Sequence, residues 1–286
     1  MPELPEVETI RRDLQNKLVG KKITEVEVRK PKIVKGSKPA FKKILAGNSF
    51  AKISRRGKLL ILELKKGEKF LLVHLKMTGQ LIYQARGKIT AGGHGWPKVD
   101  KLPNKYSHII FTFSDKAQLF FNDLRQFGYM RLAGDDELQK VLEKFGIEPL
   151  TKDFTWANFR HALAGKKTNI KAVLLNQKLI AGIGNIYADE ICFRAEVRPS
   201  RAVSRLNEKE LRQIFNSCNV VIKQAIKYRG TTFNDYVDAD GNKGNFISRL
   251  KVYQREGEKC QRCRQGTIKK VKAAGRGTRY CPRCQK

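Results

Sequence analysis

The first eight residues, Met1-Pro2-Glu3-Leu4-Pro5-Glu6-Val7-Glu8, place two prolines and three carboxylates at the end of a very basic chain. Removal of Met1 would leave Pro2 as the terminus, a secondary amine whose lone pair lies outside any peptide bond. An α-amino group titrates near about 7.7–8.0, so part of it is neutral and nucleophilic at neutral pH. Such an amine attacks an aldehyde-like carbon and forms an iminium, which is covalent catalysis of the Schiff-base type. Glu3 is adjacent and could give and take the protons that move. The plainer reading is that Pro2 only permits removal of Met1, and that Glu3, Glu6 and Glu8 complement a helix dipole.

A second constellation stands at the other end, as Cys260-x2-Cys263-x17-Cys281-x2-Cys284. Two paired-cysteine knuckles at this separation make a tetrahedral zinc site. Four thiolates leave the ion no open position, so one structural Zn²⁺ is expected, folding a ribbon too short to bury a core of its own. Between the knuckles lies Ala273-Ala-Gly-Arg276-Gly-Thr278, a tight turn with one arginine at its tip. Cys192 and Cys218 sit in helix-like surroundings and read as small core residues.

Four interior stretches could also carry chemistry. Arg55-Arg56-Gly57-Lys58 opens a strand after a glycine turn and reads either as a basic hairpin end or as a phosphate contact. Met77, in His74-Leu-Lys-Met-Thr-Gly79, ends a core strand or forms a flexible wedge able to fill the hole left by a departing base. Arg125 and Phe127 stand two apart in Asn122-Asp-Leu-Arg-Gln-Phe-Gly128; on a strand they would share a face. Ala181-Gly-Ile-Gly-Asn185-Ile-Tyr-Ala-Asp-Glu190 is a glycine turn entering a helix, with Asn185 as its cap and free N–H groups facing an anion.

These residues need elements to position them. Pro5 suits a first helical turn, and Val7, Ile10, Leu14 and Leu18 recur at three- and four-residue spacing until Gly20. From Lys22 to Leu132 short apolar runs separated by Gly and Lys turns predict a sandwich or barrel. Residues 85–105, rich in Gly, Pro and Lys, predict a long surface loop. From Glu137 the period becomes helical, with the longest helix over 206–228 and a hinge at 146–151. Residues 229–246 form a Gly-, Asp- and Asn-rich loop.

Fifty-nine Lys and Arg against twenty-seven Asp and Glu leave a formal charge of +32 in 286 residues. Charge on that scale concerns partners, and Lys and Arg spread through every segment suit a phosphate polymer. Apolar runs fall short of the roughly 20 residues of a membrane span, and no signal-peptide core opens the chain. A cytoplasmic, nucleoid-associated monomer without membrane partners is expected.

Residues 1–9 resemble, nearly letter for letter, the opening of the formamidopyrimidine-DNA glycosylases, bifunctional repair enzymes whose nucleophile is the N-terminal proline. Lys58 after Arg-Arg-Gly, the Met77, Arg125 and Phe127 set, the 181–190 string and Arg276 five residues before the third cysteine match the same family in order. The resemblance implies an α+β fold in three parts. These are a β-sandwich domain with flanking helices over 1–136, a helix-two-turn-helix bundle with a lesion-capping loop over 137–248, and a four-cysteine zinc-ribbon hairpin over 249–286. It further implies excision of 8-oxoguanine and formamidopyrimidines from duplex DNA, then β,δ-elimination at the abasic site. Pro2, Glu3, Lys58 and Arg276 would be catalytic, and Glu6 would contact the everted base. Met77, Arg125, Phe127, Lys166 and Asn185 would bind DNA. Tyr106 stands where many members carry a DNA-contacting histidine, with His108 a substitute two residues on. Leu124 replaces a frequent proline, and Lys76 adjoins the Met wedge. An endonuclease VIII-like enzyme for oxidised pyrimidines and a non-catalytic zinc-ribbon nucleic-acid-binding protein are the alternatives.

Overall fold

Helix α1 (Leu4–Leu18) begins with Pro5 in its first turn and buries Leu4, Val7, Ile10, Leu14 and Leu18 along one face. Each such side chain contributes about 1.5–3 kcal/mol when buried, which is enough to hold a chain end that would otherwise fray. Val19 closes the helix, and Gly20 turns the chain at φ +82°. The structure is a computed structural model that describes residues 1–93, 101–231 and 246–286.

The stripe of α1 packs on two five-stranded sheets. One has β1 (Ile23–Val28), β8 (Ser107–Phe113), β9 (Gln118–Asp123), β6 (Gly79–Ala85) and β7 (Lys88–Gly93), side by side in that order. The other runs β2 (Val34–Lys35), β10 (Tyr129–Ala133), β5 (Phe70–His74), β4 (Leu59–Leu64) and β3 (Phe50–Arg56). All pairings are antiparallel except the short β2–β10 contact. Inward residues of both sheets, including Ile53, Leu62, Leu71, Val73, Leu81, Phe111 and Phe121, join Val7, Ile10 and Leu14 in one core. Helix α2 (Lys38–Leu45), capped by the Ser37 hydroxyl, adds Phe41 and Leu45.

The expected 85–105 loop is corrected in part. Residues 88–93 are strand β7, paired along β6 from Ala85↔Lys88 to Gln80↔Gly93. The physical reason is a second apolar face, because Ile82, Ile110 and Phe120 point away from the main core and Ile89 and Leu102 pack over them. The remainder of that loop over 94–100, and the 232–245 part of the expected lesion-capping loop, lie outside the described residues.

The chain divides into two compact units, residues 1–142 with 228–247, and residues 143–227 with 248–286. The first includes α3 (Asp135–Leu142) after the sheets. The second holds α4 (Trp156–Leu163), α5 (Ile170–Leu175), α6 (Asn185–Arg194) and α7 (Glu208–Lys227), then the hairpin of β11 (Lys269–Ala273) and β12 (Arg276–Tyr280). The cysteine ribbon has only a small core, in which Cys260, Cys281, Ile268 and Val252 cluster with Phe193 of α6. Among the described residues no helix is long and apolar enough to cross a membrane.

Candidate active site and nucleic-acid interface

At the N-terminus Met1 is exposed and Pro2 buried. Glu3 caps α1 through a reciprocal box: its N–H donates to Glu6 Oε2 at 2.8 Å, and its own side chain accepts from the Glu6 N–H. Both carboxyl groups are therefore fixed beside the chain end, Glu3 at 2% and Glu6 at 4% exposure. Glu6 Oε1 also accepts the Thr231 N–H at 2.7 Å and its hydroxyl at 3.1 Å. A Cβ on Gly230, which sits at φ +82°, would lie 2.5 Å from Glu6 Oε1, so glycine is what permits this approach. Burial pulls the Met1 amine, which caps the chain before processing, below its ordinary 8.0; Glu3 and Glu6 oppose the shift, and Lys58 adds to it. Amine, two carboxylates and one ammonium thus act on a single point.

Lys58 reaches that point from the β3–β4 hairpin, where Gly57 takes φ +55° and the lysine is 7% exposed. His74 ends β5 opposite Leu59, the residue after Lys58. Burial, with the charges of Lys76 and Lys58, pushes this histidine down to about 3, so the ring is neutral. Its Nδ1 accepts the Lys76 N–H at 3.0 Å, which leaves the proton on Nε2. A neutral imidazole with a fixed donor beside Lys58 has the chemistry to bind a phosphate, and sequence reasoning missed it as a candidate. The signal available was its position at the end of an apolar strand facing the Arg-Arg-Gly-Lys turn.

Met77 is half-buried in the 75–78 turn between β5 and β6, less exposed than the expected free wedge. Arg125 and Phe127 are not on a strand, because β9 ends at Asp123 and residues 124–128 form a loop with Gln126 at φ +55°. They share a side by stacking instead: the Arg125 guanidinium lies 4.6 Å from the Phe127 ring centroid, and Phe127 is 53% exposed. An exposed aromatic stacked on an arginine is a ready surface for an unpaired base.

His108 is corrected as a substitute phosphate contact. It is 4% exposed and its Nε2 lies 2.7 Å from the Asp123 carbonyl, so the ring serves the β8–β9 sheet. Tyr106, half-buried with Lys105 Nζ 5.3 Å from its ring centroid, remains the group nearer the surface on that segment.

In the second unit Asn185 is the first residue of α6 and Gly184 the cap, so the expected Asn cap is shifted by one. Freed from capping, Asn185 Nδ2 donates to the Gly277 carbonyl at 3.3 Å, and its buried Oδ1 has no partner among the described residues. The Arg276 hairpin is tied down by residues the sequence reading passed over. Lys171 and Asp189, both fully buried, pair at 2.7 Å. Lys171 Nζ donates to Thr278 Oγ1 at 2.8 Å and the Gly277 carbonyl at 3.2 Å, and Asp189 Oδ2 accepts the Arg279 N–H at 2.9 Å. Arg276 itself is exposed, next to the two-residue turn of Ala274 (φ +52°) and Gly275 (φ +67°). Lys166, half-exposed, lies in the turn after α4.

The thiols of Cys260, Cys263, Cys281 and Cys284 lie within 4.8 Å of one another. The Cys260–Cys284 and Cys263–Cys281 sulfurs are 3.6 and 3.8 Å apart, too far for disulfides. A tetrahedral ion with about 2.3 Å bonds to sulfur sets the sulfurs about 3.8 Å apart, so the site fits zinc. The N–H groups of Gly266 and Cys284 point at Cys263 Sγ and Cys281 Sγ, at 3.3 and 3.4 Å, and would steady thiolates.

A two-sheet domain with a lysine beside its terminal amine, a helical block and a thiol-clustered hairpin are the three parts of one class of DNA glycosylase. The formamidopyrimidine-DNA glycosylase N-terminal domain matches residues 1–130, the H2TH domain of the same enzymes 145–237, and the zinc finger found in FPG and IleRS 257–286. The formamidopyrimidine-DNA glycosylase of Pelotomaculum thermopropionicum is 42% identical over 289 residues, covering 100% of this chain and 99% of the other. That of Carboxydothermus hydrogenoformans is 42% identical over 287 residues with both chains fully covered. The Lactococcus lactis Fpg in complex with abasic-site DNA superposes with a TM-score of 0.88 at 36% identity, covering 99% of each chain. A complex of a mutant of that enzyme with Fapy-dG-containing DNA gives 0.88 at 36% identity over 100% of each chain. The chain belongs to the formamidopyrimidine-DNA glycosylase family.

Proposed function

We propose that this protein excises oxidised purines, 8-oxoguanine and formamidopyrimidines, from duplex DNA and then cleaves the strand at the resulting abasic site. The observation that carries this reading is that Pro2 is buried at a chain end where the Glu3 and Glu6 carboxylates are fixed by a reciprocal hydrogen-bonded box and buried Lys58 acts on the same point. A base inside the stack is out of reach, so the damaged nucleotide must be everted. After loss of Met1, the Pro2 nitrogen attacks C1′ and the base leaves with the glycosidic bond pair, taking a proton from water. The Pro2 N–H proton passes to the Glu3 carboxylate, which hands it to the ring oxygen as the C1′–O4′ bond breaks and the sugar opens, giving an iminium.

The iminium acidifies the 2′ proton. Its removal expels the 3′ phosphate by β-elimination, and a second elimination expels the 5′ phosphate. Lys58, His74 and Arg276 hold these phosphates, and Asn185, with the N–H groups opening α6, grips the backbone. Lys166 and Tyr106 add backbone contacts. Met77 and Phe127 fill the gap left by the everted nucleotide while Arg125 meets the orphaned base. Glu6 contacts the everted base. When bound, zinc fixes the hairpin, and Lys171 and Asp189 hold that hairpin against α5 and α6.

The test is a pair of end-labelled duplexes, one with 8-oxoguanine opposite C and one with thymine glycol opposite A. Faster cleavage of the first, leaving phosphates at both ends of the gap, is expected. Preference for thymine glycol would indicate an endonuclease VIII-like enzyme, and binding without cleavage a non-catalytic protein.

A further inference from the structure

The residues that would fill the void come from two separate loops, yet one carboxylate holds both. We propose that Asp123, latched to Thr78, is a positioning residue that makes Met77, Arg125 and Phe127 enter the duplex as one rigid unit. The inference rests on the reading of those three side chains given above.

Asp123 is fully buried at the end of β9 and pairs with Gly79 at the start of β6, so the 75–78 and 124–128 loops leave the sheet at one register position. Its Oδ1 accepts the Thr78 hydroxyl and the Arg125 N–H, the latter at 3.2 Å. Its Oδ2 accepts the Gly128 N–H at 2.7 Å. Thr78 Oγ1 in turn accepts the Arg125 N–H at 3.0 Å. The backbone of Asp123 is fixed as well, its N–H on the Tyr106 carbonyl at 3.1 Å and its carbonyl on His108 Nε2 at 2.7 Å.

Nothing near the carboxylate admits slack. A Cβ on Gly128 would lie 2.7 Å from Phe121 and 3.0 Å from Asp123 Oδ2, and one on Gly79 would lie 2.4 Å from the Leu75 carbonyl. A buried carboxylate that lost a donor would be left partly unsatisfied, so the three hydrogen bonds stand or fall together. Neither Asp123 nor Thr78 is exposed enough to touch DNA, at 0% and 6%. Their contribution must pass through the loops.

The experiment compares wild type with Asp123→Asn, Thr78→Val and Thr78→Ser. An amide at 123 presents a donor where an N–H or a hydroxyl already points, and valine removes the hydroxyl that serine keeps. Stopped-flow fluorescence of 2-aminopurine beside an 8-oxoguanine:C pair reads insertion, and cleavage of an abasic site in single-stranded DNA reads chemistry without a duplex to enter. Asp123→Asn and Thr78→Val should slow the fluorescence rise about tenfold at full amplitude, the effect of one lost hydrogen bond to a charged group. Thr78→Ser should restore the rate, and single-strand cleavage should stay at the wild-type level in all three.

A role confined to folding would lower amplitude at unchanged rate, or lower single-strand cleavage in parallel, and either result overturns the proposal. So does an unchanged rise in both Asp123→Asn and Thr78→Val. Wild type that neither cleaves the duplex nor gives a rise would instead refute the parent reading of the site, and the latch with it.

Discussion

Arg55 joins the helix that carries the terminal amine to the turn that carries Lys58: its Nε lies 3.2 Å from Glu8 Oε2, and its Nη1 donates to the Gly57 carbonyl at 3.0 Å. Both side chains are nearly buried, at 10% and 11% exposure. Replacing Arg55 by Gln should cost about 1–3 kcal/mol of stability by chemical denaturation, the range for hydrogen bonds to a buried charge. It should also slow abasic-site cleavage more than it weakens DNA binding, because it loosens the spacing of amine and lysine.

Glu8 gives this joint a pH dependence. Burial opposes its ionisation, yet hydrogen bonds from Arg11 and Arg12 and the charge of Arg55 outweigh it and pull the carboxyl down to about 2 from an ordinary 4.5. A folded value below the unfolded one means the stabilisation is complete above 4.5 and is lost as pH falls toward 2. Acid unfolding of Glu8→Gln should therefore show a shallower fall over that window than wild type.

The terminal amine should titrate with its neighbours. Lys58 helps lower its value and Glu6 helps raise it. In the processed chain the same charges surround Pro2, so the acid limb of the pH–rate profile for imine formation should move to higher pH in Lys58→Gln. It should move to lower pH in Glu6→Gln. Limbs that stay in place would mean that these groups do not reach the nucleophile.

Lys171→Met would leave Asp189 buried without its cation, a change that typically costs about 3–5 kcal/mol. Thermal unfolding should register that loss, and the double variant Lys171→Met with Asp189→Leu, which removes both charges at similar volume, should recover much of it. DNA affinity should fall in the single variant even at temperatures where it is folded, because the Arg276 hairpin loses its support.

Chelation of zinc should abolish duplex binding in a fluorescence anisotropy titration run beside a metal assay. Arg276→Ala with zinc retained should weaken it about 10- to 100-fold, as expected for one charge-assisted phosphate contact. Full affinity after verified metal loss would contradict the role given to the hairpin.

What the sequence made legible was local. Pro5, the Val7–Leu18 stripe and Gly20 define α1 because each acts within a turn or two, and the cysteine spacing is imposed by tetrahedral zinc. Strand β7 was hidden because its pairing serves a second apolar face formed by Ile82, Ile110 and Phe120, which lie far apart in sequence. Asn185 was misplaced by one residue because glycine at 184 can cap as well. Asp123, Thr78, Lys171 and Asp189 carried no local signal. Their meaning lies in partners 45 residues away for Thr78 and Asp123 and 107 for Lys171 and Thr278, which only the folded chain brings together.

The most direct measurement of the central claim is borohydride trapping on a duplex containing 8-oxoguanine, followed by mass spectrometry of the N-terminal peptide. A stable adduct on the Pro2 nitrogen, absent in Pro2→Gly and in chains that keep Met1, is expected. An adduct on a lysine, or trapping undiminished with Met1 in place, would contradict it.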